Sequence, residues 1–165
     1  MAARQLLQQT ALARPFLFPV NRPVLTWAPP EPDPDFEATS YRLKARWTEP
    51  HRETVVYTAS RHTGFRLGGL GGPVKHPDQV THDLLLSAVY LFCLANHPLV
   101  AAHWLGEECY RDEHRGEKLP DAKILDDASP PNIALVIESG GEYDAPRVEA
   151  FHRSCKAKAL AYQLW

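Results

Sequence analysis

Asp121 and Glu138 are the residues around which chemistry can be organised in this chain. Asp121 follows Pro120 and opens an apolar run that ends at Leu125; Glu138 closes a second apolar run that starts at Ile133. A turn rich in Asp, Ser and Pro separates the two runs, and Gly140, Gly141 and a helical pattern follow. Acids at comparable ends of two adjacent short strands suit Mg²⁺, a hard cation that takes oxygen ligands and assists phosphodiester hydrolysis. The same spacing also fits a surface hairpin whose polar ends carry acids.

The rest of the chain must supply the sheet that positions these acids. Its 165 residues are enough for one domain with a proper core, and 44% hydrophobic with 23% charged residues is ordinary for a soluble globular protein. A formal net charge of −2 provides no global positive field to attract nucleic acid, although a local basic face is compatible with it. Three cysteines at unpatterned positions (Cys93, Cys109, Cys155) argue against a disulfide framework and for a reducing compartment. The eight histidines are scattered and show no zinc-ligand spacing. The longest apolar run, Leu84 to Ala95, is too short for a membrane span, and no signal-peptide pattern opens the chain; a cytoplasmic protein is expected.

Fifteen prolines, most in the first half, predict a loop-rich N-terminal extension over 1–76 and an α/β core over 77–165. Within the extension, residues 3–13 read as helix, Val24 to Trp27 as strand and Ala28 to Asp35 as a proline linker. Tyr41 to Trp47 alternates, with Arg42, Lys44 and Arg46 on one face, and reads as a strand. Its basic face suits either phosphate tracking or protection of a sheet edge. Thr54 to Ala59 is a partner strand by its β-branched content. Residues 64–73 form a glycine-rich connection without a Walker pattern. In the core, a helix from Pro77 or Asp78 to Asn96 is apolar around most of its circumference and is expected to be deeply buried. Strands follow over 104–111, 119–125 and 133–139, then a helix over 145–159 capped by Asp144, and a short terminal strand.

This order, helix, three strands, helix, strand, with Pro-Asp on one strand and an acid ending the next, resembles the core of the PD-(D/E)xK nuclease superfamily. The resemblance implies a restriction-endonuclease-like mixed sheet flanked by helices. It further implies that Asp121 and Glu138 bind the metal, with Glu108 (or Glu107) as a third carboxylate. The superfamily's lysine, two residues beyond the second acid, is replaced here by Gly140. Lys123, two residues after Asp121 and on the same strand face, is one substitute; Lys156 and Lys158 on the following helix are others, or form a solvated face. Tyr143, Arg147 and His152 add polar groups beyond Glu138. Arg147 suits a phosphate, with Tyr143 and Lys156 as further nucleic-acid contacts, or else pairs with Asp144 or Glu149.

More narrowly, THDLLLSAVYL, W-L-G-E, L-P-D-A, V-I-E-S, G-E-Y-D-x-x-R-V-x-x-F-H and Y-x-L-W are similar to replication-relaxation-type proteins of plasmids and other mobile elements. Those carry a winged helix-turn-helix before a nuclease-like domain, and residues 1–40 are too short and proline-rich to provide one. The implied function is a DNA-associated protein, either a Mg²⁺-dependent nuclease or a non-catalytic module binding DNA or a partner protein in replication. A regulatory protein docking through its N-terminal extension is a third possibility.

Overall fold

In the computed structural model five strands form the sheet that carries both acids, in the order β2-β7-β6-β5-β4. The structure describes residues 6–14, 20–47, 52–66, 69, 71–73, 79–110 and 119–165. The chain folds as two compact units, Met1–Leu17 with Glu49–Asp83 and Phe18–Thr48 with Leu84–Trp165. Phe18–Thr48, which the sequence groups with the rest of 1–76, clusters here with Leu84–Trp165. The reason is local, since this stretch contributes a strand and a helix to the larger unit's own core.

In the smaller unit, β1 (Leu7–Arg14) pairs antiparallel with β3 (Arg52–Ala59), from Leu7 opposite Ala59 to Arg14 opposite Arg52. The helix expected over 3–13 is corrected to a strand from Leu7 onward, and residues 3–5 lie outside the described residues. An isolated helix of that length is marginal in water, and pairing with the β-branched β3 run satisfies the same backbone groups. Helix α2 (Arg61–Arg66) takes up the start of the expected glycine-rich connection. Gly71 and Gly72 then adopt positive φ, and Gly72 donates its N–H to Ala59.

The larger unit is α/β, a mixed sheet with helices on both faces. Its strands are β2 (Leu25–Trp27), β4 (Trp104–Gly106), β5 (Ala122–Leu125), β6 (Ile133–Glu138) and β7 (Tyr162–Leu164). β6 and β7 run parallel, joined through α5 (Ala145–Ala157), because a parallel pair needs a crossover; the other neighbours are antiparallel. Alternation divides the side chains between two cores. Val136, Tyr162 and Leu164 face Val148, Phe151 and Cys155 of α5 and Leu43 of α1 (Phe36–Lys44). Ala122, Ile124, Ile137 and Trp165 pack with Val89 and Cys93 of α3 (Val80–Asn96) and Ala101 of α4 (Pro98–Ala102).

Three local expectations change. Tyr41 to Trp47 is not a strand: α1 covers it to Lys44, opened by Asp35, whose Oδ1 accepts the Ala38 N–H at 2.9 Å. Helix α3 is buried along one stripe, Leu85, Val89 and Cys93, while Leu91 and Leu94 are exposed; any start at Pro77 or Asp78 lies outside the described residues. The strand expected over 104–111 stops at Gly106 and gives way to a 3-10 turn, Glu107–Cys109. No described helix is long and apolar enough to cross a membrane.

Candidate functional site

The ladder between β5 and β6 pairs Ala122 with Ile137; one further residue along it sets Asp121 opposite Glu138. The same step along β4 and β5 sets Glu107 opposite Asp121, and the Glu107 N–H donates to the Asp121 carbonyl at 3.0 Å. Three acids thus stand in one row at one end of the sheet. Glu107, rather than Glu108, is the β4-side member of that row; the Glu108 side chain lies outside the described residues.

Both central acids are buried, Asp121 at 9% and Glu138 at 2% exposure, and both accept hydrogen bonds from the protein. The Ser139 N–H donates to Asp121 Oδ2 at 2.6 Å, and the Tyr143 hydroxyl donates to Glu138 Oε1 at 2.5 Å. Burial first, and then the Glu138 carboxylate, push the Tyr143 hydroxyl well above its ordinary pKa; the Arg147 guanidinium acts in the opposite direction. Arg147 lies over the Tyr143 ring, 4.0 Å from its centroid, and its Nη2 donates to the hydroxyl at 3.4 Å. Asp121, Glu138, Tyr143 and Arg147 therefore form one electrostatic group. Arg147 pairs with Asp144 only through its backbone N–H, which caps α5 on Asp144 Oδ1.

The other cations expected here have different partners. The Lys123 ammonium stands over the Tyr110 ring, 3.7 Å from its centroid. Lys156 bonds Asp33, as does His152 Nε2 at 3.1 Å, and both lysine and histidine hold the Asp33 carboxyl below its usual pKa. His152 is 1% exposed and also shares a hydrogen bond with the Tyr162 hydroxyl at 3.0 Å. Lys156, exposed on α5, and the buried His152 thus share the Asp33 carboxylate as partner.

Gly140, in the turn after β6, is tightly packed. A Cβ built there would lie 2.7 Å from Leu43 Cδ2 and 3.0 Å from Leu43 Cδ1, and Leu43 is fully buried. Helix α1 and the residues just after it hold the same turn by two hydrogen bonds: Ser40 Oγ donates to the Tyr143 carbonyl at 3.0 Å, and Trp47 Nε1 to the Gly141 carbonyl at 2.9 Å. Ser40, Leu43 and Trp47 were not anticipated as site supports. Their i, i+3, i+7 spacing was the available signal.

The donor set at the acid row suits Mg²⁺ in type, being carboxylate oxygen. It fits poorly in arrangement: each central acid is engaged by a protein donor, and among the described residues no three His, Cys, Asp or Glu side chains are grouped to hold a metal. Replacing Asp121 with Ala should cost about 1–3 kcal/mol by leaving the Ser139 amide without its acceptor, and Asp121→Asn should cost less because one oxygen remains. Urea unfolding of the two variants measures the difference; equal stabilities would mean the amide bond contributes nothing.

No family model matches this chain, and neither a curated protein nor a solved structure is significantly similar to it.

Proposed function

We propose that this chain is a non-catalytic, DNA-associated module with a nuclease-like fold, of the kind found in replication proteins of mobile elements. The likeness to the PD-(D/E)xK core is supported by the order α3-α4-β4-β5-β6-α5-β7, in which the short α4 is an addition, and by the acids facing each other at the ends of β5 and β6. The observation that carries the non-catalytic reading is the closed lysine position. Gly140 lies against the buried Leu43 side chain, so the sheet end has a packed turn where the superfamily's reaction needs a cation beside the water. The acids then serve the fold: Asp121 holds the Ser139 amide and Glu138 holds Tyr143.

Metal-dependent hydrolysis through Asp121, Glu138 and Lys123 is the competing reading, and the register of the acid row favours it. One set of samples separates the two. Wild type and Asp121→Ala are titrated with Mg²⁺ and Mn²⁺ by calorimetry, and the same samples are assayed for binding and cleavage of single- and double-stranded DNA. The expected result is DNA binding without cleavage, unaffected by either metal. Cleavage that requires metal and disappears in Asp121→Ala would overturn the non-catalytic reading.

A further inference from the structure

A cleft of about 460 Å³ opens in the larger unit at a distance in sequence from the acid row, and Arg22, Arg42 and Arg46 all line it. It is walled by the Val20–Val24 segment, the end of α1, Leu85 of α3 and Trp165. Each wall is fixed. The Val24 N–H donates to the Leu164 carbonyl at 2.7 Å, which ties the segment to β7. Leu85 and Trp165 are 2% and 3% exposed, and Arg46 Nε donates to the Leu43 carbonyl at 3.4 Å. Arg42 and Arg46 are four residues apart around the end of a helix, which turns both toward one side. An alternating strand would also have aligned them, but with Lys44 between them; the helix leaves Lys44 out of the cleft lining.

Among the described residues that line the cleft none is an acid, and Asn21 adds a neutral amide. Burial pulls the Arg46 guanidinium down to about 10, which still leaves it charged at neutral pH. A half-buried guanidinium beside two exposed ones is a concentration of positive charge in a concave, partly apolar place. Guanidinium groups from two chain segments line the cleft; Arg42 Nε and Nη2 also donate to the Ala38 carbonyl and Thr39 Oγ1 at 3.3 and 3.4 Å, and the planar N–H forks match the oxygens of a phosphate.

We propose that this cleft seats a backbone phosphate of a bound nucleic-acid strand. The proposal rests on reading the chain as a DNA-associated module and says where the strand is held. The same chemistry would accept the phosphate of a free nucleotide, so the test carries both ligands.

Arg22 and Arg42 are exposed, so Arg22→Glu/Arg42→Glu should leave the fold intact, which thermal unfolding verifies. Binding of a short fluorescein-labelled single strand and of its duplex is measured by anisotropy over a series of NaCl concentrations, with AMP titrated in parallel. Wild type should bind the strand, and the double variant should bind it about tenfold or more weakly, with a salt slope reduced by about 2, one for each arginine removed from the phosphate. Arg153→Glu, exposed on α5 and paired with Glu149, is the control and should change binding little; Arg147→Glu, beside the acid row, tests that row as the alternative place for the strand.

Strand binding that the double variant leaves unchanged, or that only Arg147→Glu weakens, would overturn the cleft while preserving the DNA-associated reading. Arginine-dependent binding of AMP without strand binding would support the phosphate site and overturn the strand as its source. No binding of either ligand by wild type would overturn both the site and the reading. Arginines that merely offset the C-terminal dipole of α1 would lower stability in the double variant and leave binding untouched, which also overturns the proposal.

Discussion

Leu43→Ala should lower stability by about 2–5 kcal/mol, the range for truncating a fully buried leucine. Leu43 has no exposed surface and packs with Val136, Tyr143 and Val148 in the core between the sheet and α1 and α5. Its two methyls also occupy the space directly above Gly140. Gly140→Ala is therefore expected to cost about 1–3 kcal/mol by overpacking, and Gly140→Lys more, because a longer side chain must leave the same tight place. The two positions should not add. In the Leu43→Ala background the new Cβ fills room that the leucine vacated, so Gly140→Ala should become nearly neutral, a coupling of about 1–3 kcal/mol. Urea unfolding of the four proteins closes this cycle. Strict additivity would show that the Gly140 turn does not touch Leu43 of α1, and it would remove the main support for the proposed non-catalytic reading.

The second large effect concerns Tyr162. Its ring is fully buried, stacked on Trp27 at 5.6 Å and edge-on to Phe151 at 5.1 Å, and its hydroxyl shares a hydrogen bond with His152 Nδ1. Tyr162→Ala should cost about 3–5 kcal/mol, as expected for removing a large aromatic from a core. Tyr162→Phe keeps the ring and should cost about 1–3 kcal/mol by removing the hydroxyl. The same residue gives a pH signature. Burial first, then Cys155 and Asp33, hold the hydroxyl protonated to a higher pH than in the unfolded chain. Its folded pKa is raised, so its contribution is fully present below the unfolded value of about 10 and is lost as pH rises beyond it. Wild type should lose about 1.4 kcal/mol per pH unit from this group above about pH 10, and Tyr162→Phe should be shallower by that amount. Unfolding midpoints between about pH 8 and 11 provide the comparison. Equal slopes in the two proteins would place the ionising hydroxyl elsewhere, with Tyr143 as the next buried candidate.

Much of the sheet and of the acid row was legible because its signals are local. Ile133 to Glu138 is an apolar run bounded by turn residues, and Asp144 with Pro146 marks the start of α5. Those patterns alone put Asp121 and Glu138 on neighbouring strand ends, with Tyr143 and Arg147 beside them. The stretch over 41–47 is ambiguous in the sequence for a definite reason. Leu43 and Trp47 are four apart, which is two strand periods and close to one helical turn, so the apolar pattern alone satisfies both. The residues that separate the cases are Tyr41, which is 74% exposed, and Thr39 and Ser40, which are buried and polar. Asp35, an N-cap directly after Pro34, is the local signal for the helix.

What the sequence determined by itself, then, was composition, the β6-α5-β7 segment and the alignment of acids, since each follows from short-range periodicity and turn chemistry. The tertiary structure alone decided what those acids are bonded to and which cations reach them. Lys156 and His152 go to Asp33, more than a hundred residues earlier, and Gly140 meets Leu43 of α1. Likewise β1 is a strand because β3 offers it a ladder, although its own residues favour a helix. Such partners are chosen by packing and by the need to satisfy buried polar groups across long sequence separations, and neither leaves a periodic trace in the chain.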